Sequence, residues 1–300
     1  MIPSNIGIAC LVICSAACAG PVSVLGRDDR PTPPPAHPVD AAVHAHNDTT
    51  IELPEDALSV EPAQPTVGSL QERALAHVHT PKGGCSGVVI APQIVLTAHQ
   101  CIGGEADGIV TIASGASGAP AATGASSASS LPDSQFYLEV ATSASTWTRR
   151  QISFVITPAC AWERLDMAAL VVSEPIEWVK PLTVSPSPAP GQNLQALGFG
   201  HCAGETHGIT NRFGALTRRE SDALVIDVPL CRGDVGGPLV DPRSGALFGI
   251  ISHQDDPDNA PRHTTTGYRL DTNTARAVVA QASALVAHPE VKQREAVACE

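Results

Sequence analysis

Short runs of apolar and β-branched residues, broken by glycine and proline, set the pattern from about Leu70 onward. The runs Gly87–Ile90, Ile94–Thr97, Phe136–Val140, Gln151–Ile156, Met167–Val172, Leu194–Gly198, Ala223–Asp227 and Leu247–Ser252 each predict a strand. None is long enough to be a helix, and their regular punctuation predicts an all-β sandwich or barrel. One segment departs from this rhythm. Thr272 to Ala287 places Val278, Val279, Ala282, Leu285 and Val286 at helical spacing, with Asp271 or Thr272 as cap and His288-Pro289 as stop.

Two other stretches lack any periodic pattern. Residues 20–64, with Pro31-Thr32-Pro33-Pro34-Pro35 and scattered acids, read as an extended tether. Residues 114–130, nearly all Ala, Gly and Ser, read as a loop insertion that cannot bury enough surface to fold alone. The Pro-rich stretch Pro181 to Pro190 reads as a connector between two halves. Before the tether, Ile6 to Ala19 is apolar but too short to span a membrane, and ends in Ser15-Ala16-Ala17-Cys18. Residues 1–19 therefore read as a signal peptide. Cleavage near Ala17 or Ala19 and lipid attachment at Cys18 are both compatible with this segment. Either places the protein outside the cytoplasm, as a secreted or cell-envelope protein, with a membrane tether through Cys18 in the second case.

Composition sharpens the picture in three ways. With 43% hydrophobic but only 3% aromatic residues, the core must be built from Val, Ile, Leu and Ala. A formal charge of −12 is a poor match to a phosphate backbone, so nucleic acid is not an expected partner. Apart from Cys10, Cys14 and Cys18 in the leader, six cysteines remain: Cys85, Cys101, Cys160, Cys202, Cys231 and Cys299. An even set in an exported chain predicts disulfides. His44 and His46 form a His-x-His pair, but no other ligand sits at a useful spacing. No metal and no cofactor are expected.

Five segments carry a resemblance. They are Cys85-Ser-Gly-Val-Val-Ile-Ala-Pro-Gln-Ile-Val-Leu-Thr-Ala-His-Gln-Cys101, Leu165-Asp-Met-Ala-Ala-Leu170, Leu197-Gly-Phe-Gly200, Cys231-Arg-Gly-Asp-Val-Gly-Gly-Pro-Leu-Val240 and Leu247-Phe-Gly-Ile-Ile-Ser252. In this order they resemble the catalytic segments of the trypsin/chymotrypsin-like serine proteases, over about residues 65–288. The resemblance implies an all-β fold of two six-stranded antiparallel barrels with a C-terminal helix. It places the first barrel at about 65–175, the second at 191–270 and the helix at 272–287, with 289–300 as a tail. It also implies a Cys85–Cys101 bridge. Cys202 with Cys231 follows from their flanking the second barrel's site region, which leaves Cys160 with Cys299.

The same resemblance locates the chemistry. Acyl transfer needs a hydroxyl nucleophile, an imidazole base, a carboxylate that orients it and backbone N–H donors for the oxyanion. The nucleophile position falls on Val235, which has no lone pair and no transferable proton. The base position falls on Gln100, whose amide has no basic nitrogen. His99 stands one residue early; a one-residue shift on a helical turn swings a side chain by about 100°. Asp166 keeps the carboxylate, either as a triad relic or as a buried group held by hydrogen bonds, Ser252 among its candidate donors. The Gly233 and Val235 N–H groups would remain as an oxyanion-type nest. Pro229 occupies the specificity position where trypsin-like enzymes carry Asp, and Ser252, His253 and Gln254 line the implied pocket. Asp234 matches the aspartate that in this family turns inward to a charged chain terminus, yet no activation sequence precedes Cys85 at the family distance.

These residues imply an inactive protease homologue, a monomer that binds a protein or peptide partner. The alternative is an active serine-type endopeptidase working through His99 or another nucleophile. A third reading is a purely structural envelope protein.

Overall fold

The computed structural model describes residues 67–80, 83–103, 108–111, 136–161, 165–202, 208–252, 264–290 and 297–299. The leader with Cys18, the tether with His44 and His46, the Ala/Gly/Ser loop, and His253 and Gln254 lie outside the described residues.

A four-residue helix, α1 (Leu70–Arg73), opens the described chain. Its capping box is complete: Ser69 accepts from the Glu72 N–H while the Glu72 carboxylate accepts from the Ser69 N–H. Seven strands follow: β1 (Leu75–Thr80), β2 (Gly83–Ala91), β3 (Ile94–Thr97), β4 (Ile109–Thr111), β5 (Tyr137–Ala141), β6 (Trp147–Ile156) and β7 (Ala168–Val172). They pair in the order β4-β6-β5-β1-β2-β3-β7, and β6 pairs again with β7. That second pairing closes a six-stranded antiparallel ring, with β4 added along β6.

The second half contains β8 (Asn193–Gly198), β9 (Thr210–Arg219), β10 (Ala223–Ile226), β11 (Pro238–Val240), β12 (Leu247–Ser252) and β13 (Thr265–Arg269). These six close a second barrel in the order β10-β13-β12-β11-β8-β9. Helix α2 (Asn273–Ala287) ends the fold. The two barrels and the helix are those the sequence resemblance implies.

Burial explains why some strands read so clearly. Every residue of β7 is buried. One face looks into the barrel, and the other is covered by α2, whose Ala275, Val278, Ala282 and Leu285 join the same core as Ala168 to Val172. A strand covered on both faces reads as an unbroken apolar run. A separate core fills the second barrel with Leu194, Leu216, Leu224, Ile226, Leu239, Phe248 and Ile251.

Five strands were not evident from the apolar pattern: β1, β4, β9, β11 and β13. The reason is plainest at β9, Thr-Asn-Arg-Phe-Gly-Ala-Leu-Thr-Arg-Arg, where only Leu216 is buried. Its extended form comes from ladders to β8 and β10, so pairing and not burial selects it. Gly214 is obligatory there, because a Cβ would collide with the Asp227 carbonyl of the crossing chain.

At the α2 start, Thr272 is the cap, accepting from the Ala275 N–H at 3.2 Å. Asp271 instead ties the interbarrel connector to β13. It accepts from the Ser187 N–H (2.9 Å), the Ser187 hydroxyl (2.7 Å) and Arg269 Nε (3.0 Å). Burial raises the Asp271 carboxyl pKa, but the hydrogen bonds from Arg269 and Ser187 and the Arg269 charge outweigh it and hold it to about 2. A folded-state pKa below the unfolded value contributes stability above about pH 4, lost as pH falls through the folded value. Asp271→Asn is therefore expected to lower the urea midpoint near neutrality and to lose that deficit by about pH 2. Equal deficits at both pH values would refute the linkage.

Candidate functional site

Asp166 sits on the segment entering β7, 9% exposed, with both oxygens engaged. Oδ1 accepts from the Gln100 backbone N–H at 2.8 Å. Oδ2 accepts from the Gln100 side-chain amide at 2.9 Å and from the Ser252 hydroxyl at 2.6 Å. Gln100 thus addresses the carboxylate with main chain and side chain together. It belongs to a 3-10 turn, His99–Ile102, that follows β3 and ends in the left-handed Gly103. The preceding His99 is fully buried, whereas Gln100 is half-buried and turned to Asp166. Ser252, at the end of β12, is the donor named from the sequence.

Val235 lies in the loop between Cys231 and β11, 8% exposed and packed against Ala98, Cys101 and Cys85. Ser86 of β2 holds this loop to the first barrel. Its hydroxyl donates to the Gly233 carbonyl (2.7 Å) and accepts from the Phe199 N–H (2.9 Å), and its N–H donates to the Val235 carbonyl (2.8 Å). Gly233 and Gly236 take φ of 100° and 86°. At Gly236 a Cβ would run into the Ser86 carbonyl and the Thr97 hydroxyl, so only glycine fits this tight turn. Pro229, by contrast, is exposed.

The disulfides Cys85–Cys101, Cys202–Cys231 and Cys160–Cys299 are all formed, with Cα separations of 6.0, 5.2 and 5.9 Å. The first two brace the 3-10 turn and the Val235 loop. The third draws the tail back to the first barrel, where Val297 bridges to Pro158.

Asp234 is fully buried yet richly satisfied. It accepts from the Gly200 N–H (2.9 Å), the Cys231 N–H (2.9 Å), the Thr210 hydroxyl (2.5 Å) and Arg212 Nη1 (2.7 Å). The charge that neutralises it is therefore Arg212 of β9, a residue internal to the chain. Sequence reasoning missed this partner because β9 itself was not evident. Gly200 is needed beside it, since a Cβ there would fall 2.5 Å from the Asp234 carboxyl carbon.

A second polar cluster also escaped the sequence reading. His77 and His79 of β1 face Glu139 of β5, and His79 Nε2 lies 2.9 Å from Glu139 Oε2. Burial, then the adjacent His79 and His201, push the His77 pKa down to about 3. The only sequence signal was the alternation in Leu75-Ala-His-Val-His-Thr80, since Glu139 lies 60 residues from His79.

Two closed six-stranded barrels, with Asp166, Gln100 and Val235 brought together by the loops around β3, β7 and β11, have the architecture of a trypsin-like peptidase. The chain belongs to the trypsin-like peptidase domain family, which it matches over residues 85–250. A solved structure titled "Structure of Glu endopeptidase in complex with MPD" is similar to it with a TM-score of 0.52 and 12% identity, over 75% of this chain and 98% of that one. That likeness is one of fold. No curated protein matches the sequence. Among the described residues no helix is long and apolar enough to cross a membrane.

Proposed function

We propose that this protein is a catalytically inactive, exported member of its family that works by binding a polypeptide partner. The observation that carries the reading is the saturation of Asp166 by Gln100 and Ser252. A carboxylate that would orient an imidazole is here hydrogen-bonded to an amide. An amide neither takes a proton from a nucleophile nor returns one to a leaving group. The residue at the matching nucleophile position, Val235, is apolar, and complete burial of the His99 ring counts against its service as a base. The Gly233 and Val235 N–H groups need no particular side chain to meet a carbonyl, which favours binding without turnover. Three disulfides are compatible with an oxidising compartment, in keeping with the apolar leader.

Two measurements test this together. Wild type is expected to remain unlabelled by a serine-directed phosphonate and to leave activated esters at the background rate. A photo-crosslinking residue at exposed Arg232, beside Gly233, is expected to trap a polypeptide that the same residue at exposed Phe213 does not. Labelling by the phosphonate overturns inactivity; equal trapping at both positions overturns binding at the remnant cleft.

A further inference from the structure

We infer that His77, His79 and Glu139 form a binding site for a divalent transition-metal ion of the zinc type. The register of the first barrel creates it. In the β1–β5 ladder His77 stands directly opposite Glu139, and the two-residue period of a strand puts His79 on the same face. One ligand atom from each residue lies within 4.8 Å of the other two. His79 Nε2 and Glu139 Oε2 are already 2.9 Å apart. Around a tetrahedral zinc ion the donors stand roughly 3.3 Å from one another, so side-chain rotations within these distances would bring the three donors to that spacing. Two imidazoles and a carboxylate suit zinc or cobalt better than magnesium or calcium, which prefer oxygen alone.

The surroundings hold the ligands in place. The Tyr137 ring stacks on His79 at 4.4 Å and the Phe199 ring on His77 at 4.6 Å. Arg149 lies over Tyr137 at 3.7 Å, and Trp147 meets Phe199 edge-on at 5.5 Å. Both imidazoles are thus oriented by aromatic faces, leaving their nitrogens for polar partners. Opposite them Gly84 clears space, since a Cβ there would fall 2.6 Å from His77 Nε2. The His79 and Glu139 side chains keep 26% and 28% exposure, which provides an entry path and room for a water as fourth ligand. A structural His79–Glu139 pair alone would not require a second imidazole with its centroid 4.1 Å from the first.

The test uses the full exported chain without an affinity tag, carrying His44→Ala and His46→Ala so that the tether pair cannot bind metal. Zinc titration against a competing chelator is expected to give one equivalent bound, and cobalt to give the visible absorption of a tetrahedral site. Glu139→Gln, which preserves shape, and His79→Gln should each weaken zinc binding by at least about tenfold and lose the tetrahedral cobalt spectrum. A thermal transition on each variant establishes that it is folded, and Glu139→Gln alone decides if His79→Gln is not. The inference is overturned if the parent binds neither metal, or if folded Glu139→Gln binds both as tightly and with the same spectrum.

Discussion

Val235→Ser alone leaves ester hydrolysis near background, Gln100→His alone does the same, and only the double variant gains appreciable activity, by about 10²–10⁴ over either single change. A serine hydroxyl is a weak nucleophile near neutral pH until a base takes its proton. Gln100 cannot do so, whereas an imidazole at position 100 would keep a ring N–H on Asp166 in place of the amide N–H now 2.9 Å away. Its other nitrogen would then be free for a hydroxyl at position 235. The remaining parts are in place: Asp166 held by Ser252, and the Val235 loop clamped by Ser86. The double variant is expected to remain far below an evolved enzyme, because exposed Pro229 offers a substrate side chain no charge partner. Rates of the four proteins with one activated ester settle the matter. Turnover by wild type that disappears on His99→Ala would reverse the assignment, making His99 the base.

Arg212→Met is expected to destabilise the protein by roughly 3–5 kcal/mol, because it strands a buried carboxylate. Asp234 has no exposure, and Arg212 supplies its one cationic partner among the described ion pairs, at 2.7 Å. In a chain of this size that loss lowers the thermal midpoint by roughly 10 °C. The second half of the test is Asp234→Asn in the Arg212→Met background. Removing the stranded charge should return part of the lost stability, a coupling that independent sites do not show. A midpoint for Arg212→Met within about 2 °C of wild type would show that the Gly200, Cys231 and Thr210 donors suffice for Asp234 without a cation. Among the described residues the cationic partner of Asp234 is thus Arg212, internal to β9.

Much of the chemistry was legible in single positions. The identities of residues 100 and 235 exclude a basic nitrogen and a hydroxyl at those points whatever the fold around them. The resemblance of the segment Cys85 to Cys101 to the family's first catalytic segment likewise implied their bridge, and the bridge is formed. Helix α2 and strands such as β3, β7 and β12 declared themselves through their apolar spacing, since each is selected by the surface it buries. Tertiary structure alone decided the rest. The Asp166–Gln100 bonds join residues 66 apart, and the Asp234–Arg212 pair joins residues 22 apart across a strand with one buried side chain. The His77–His79–Glu139 cluster exists only because β1 and β5 pair in one register; a slip by one residue would turn the histidines to the opposite face. Local pattern reports what a segment buries. Which polar groups meet is set by ladder register and barrel closure, which no single segment encodes.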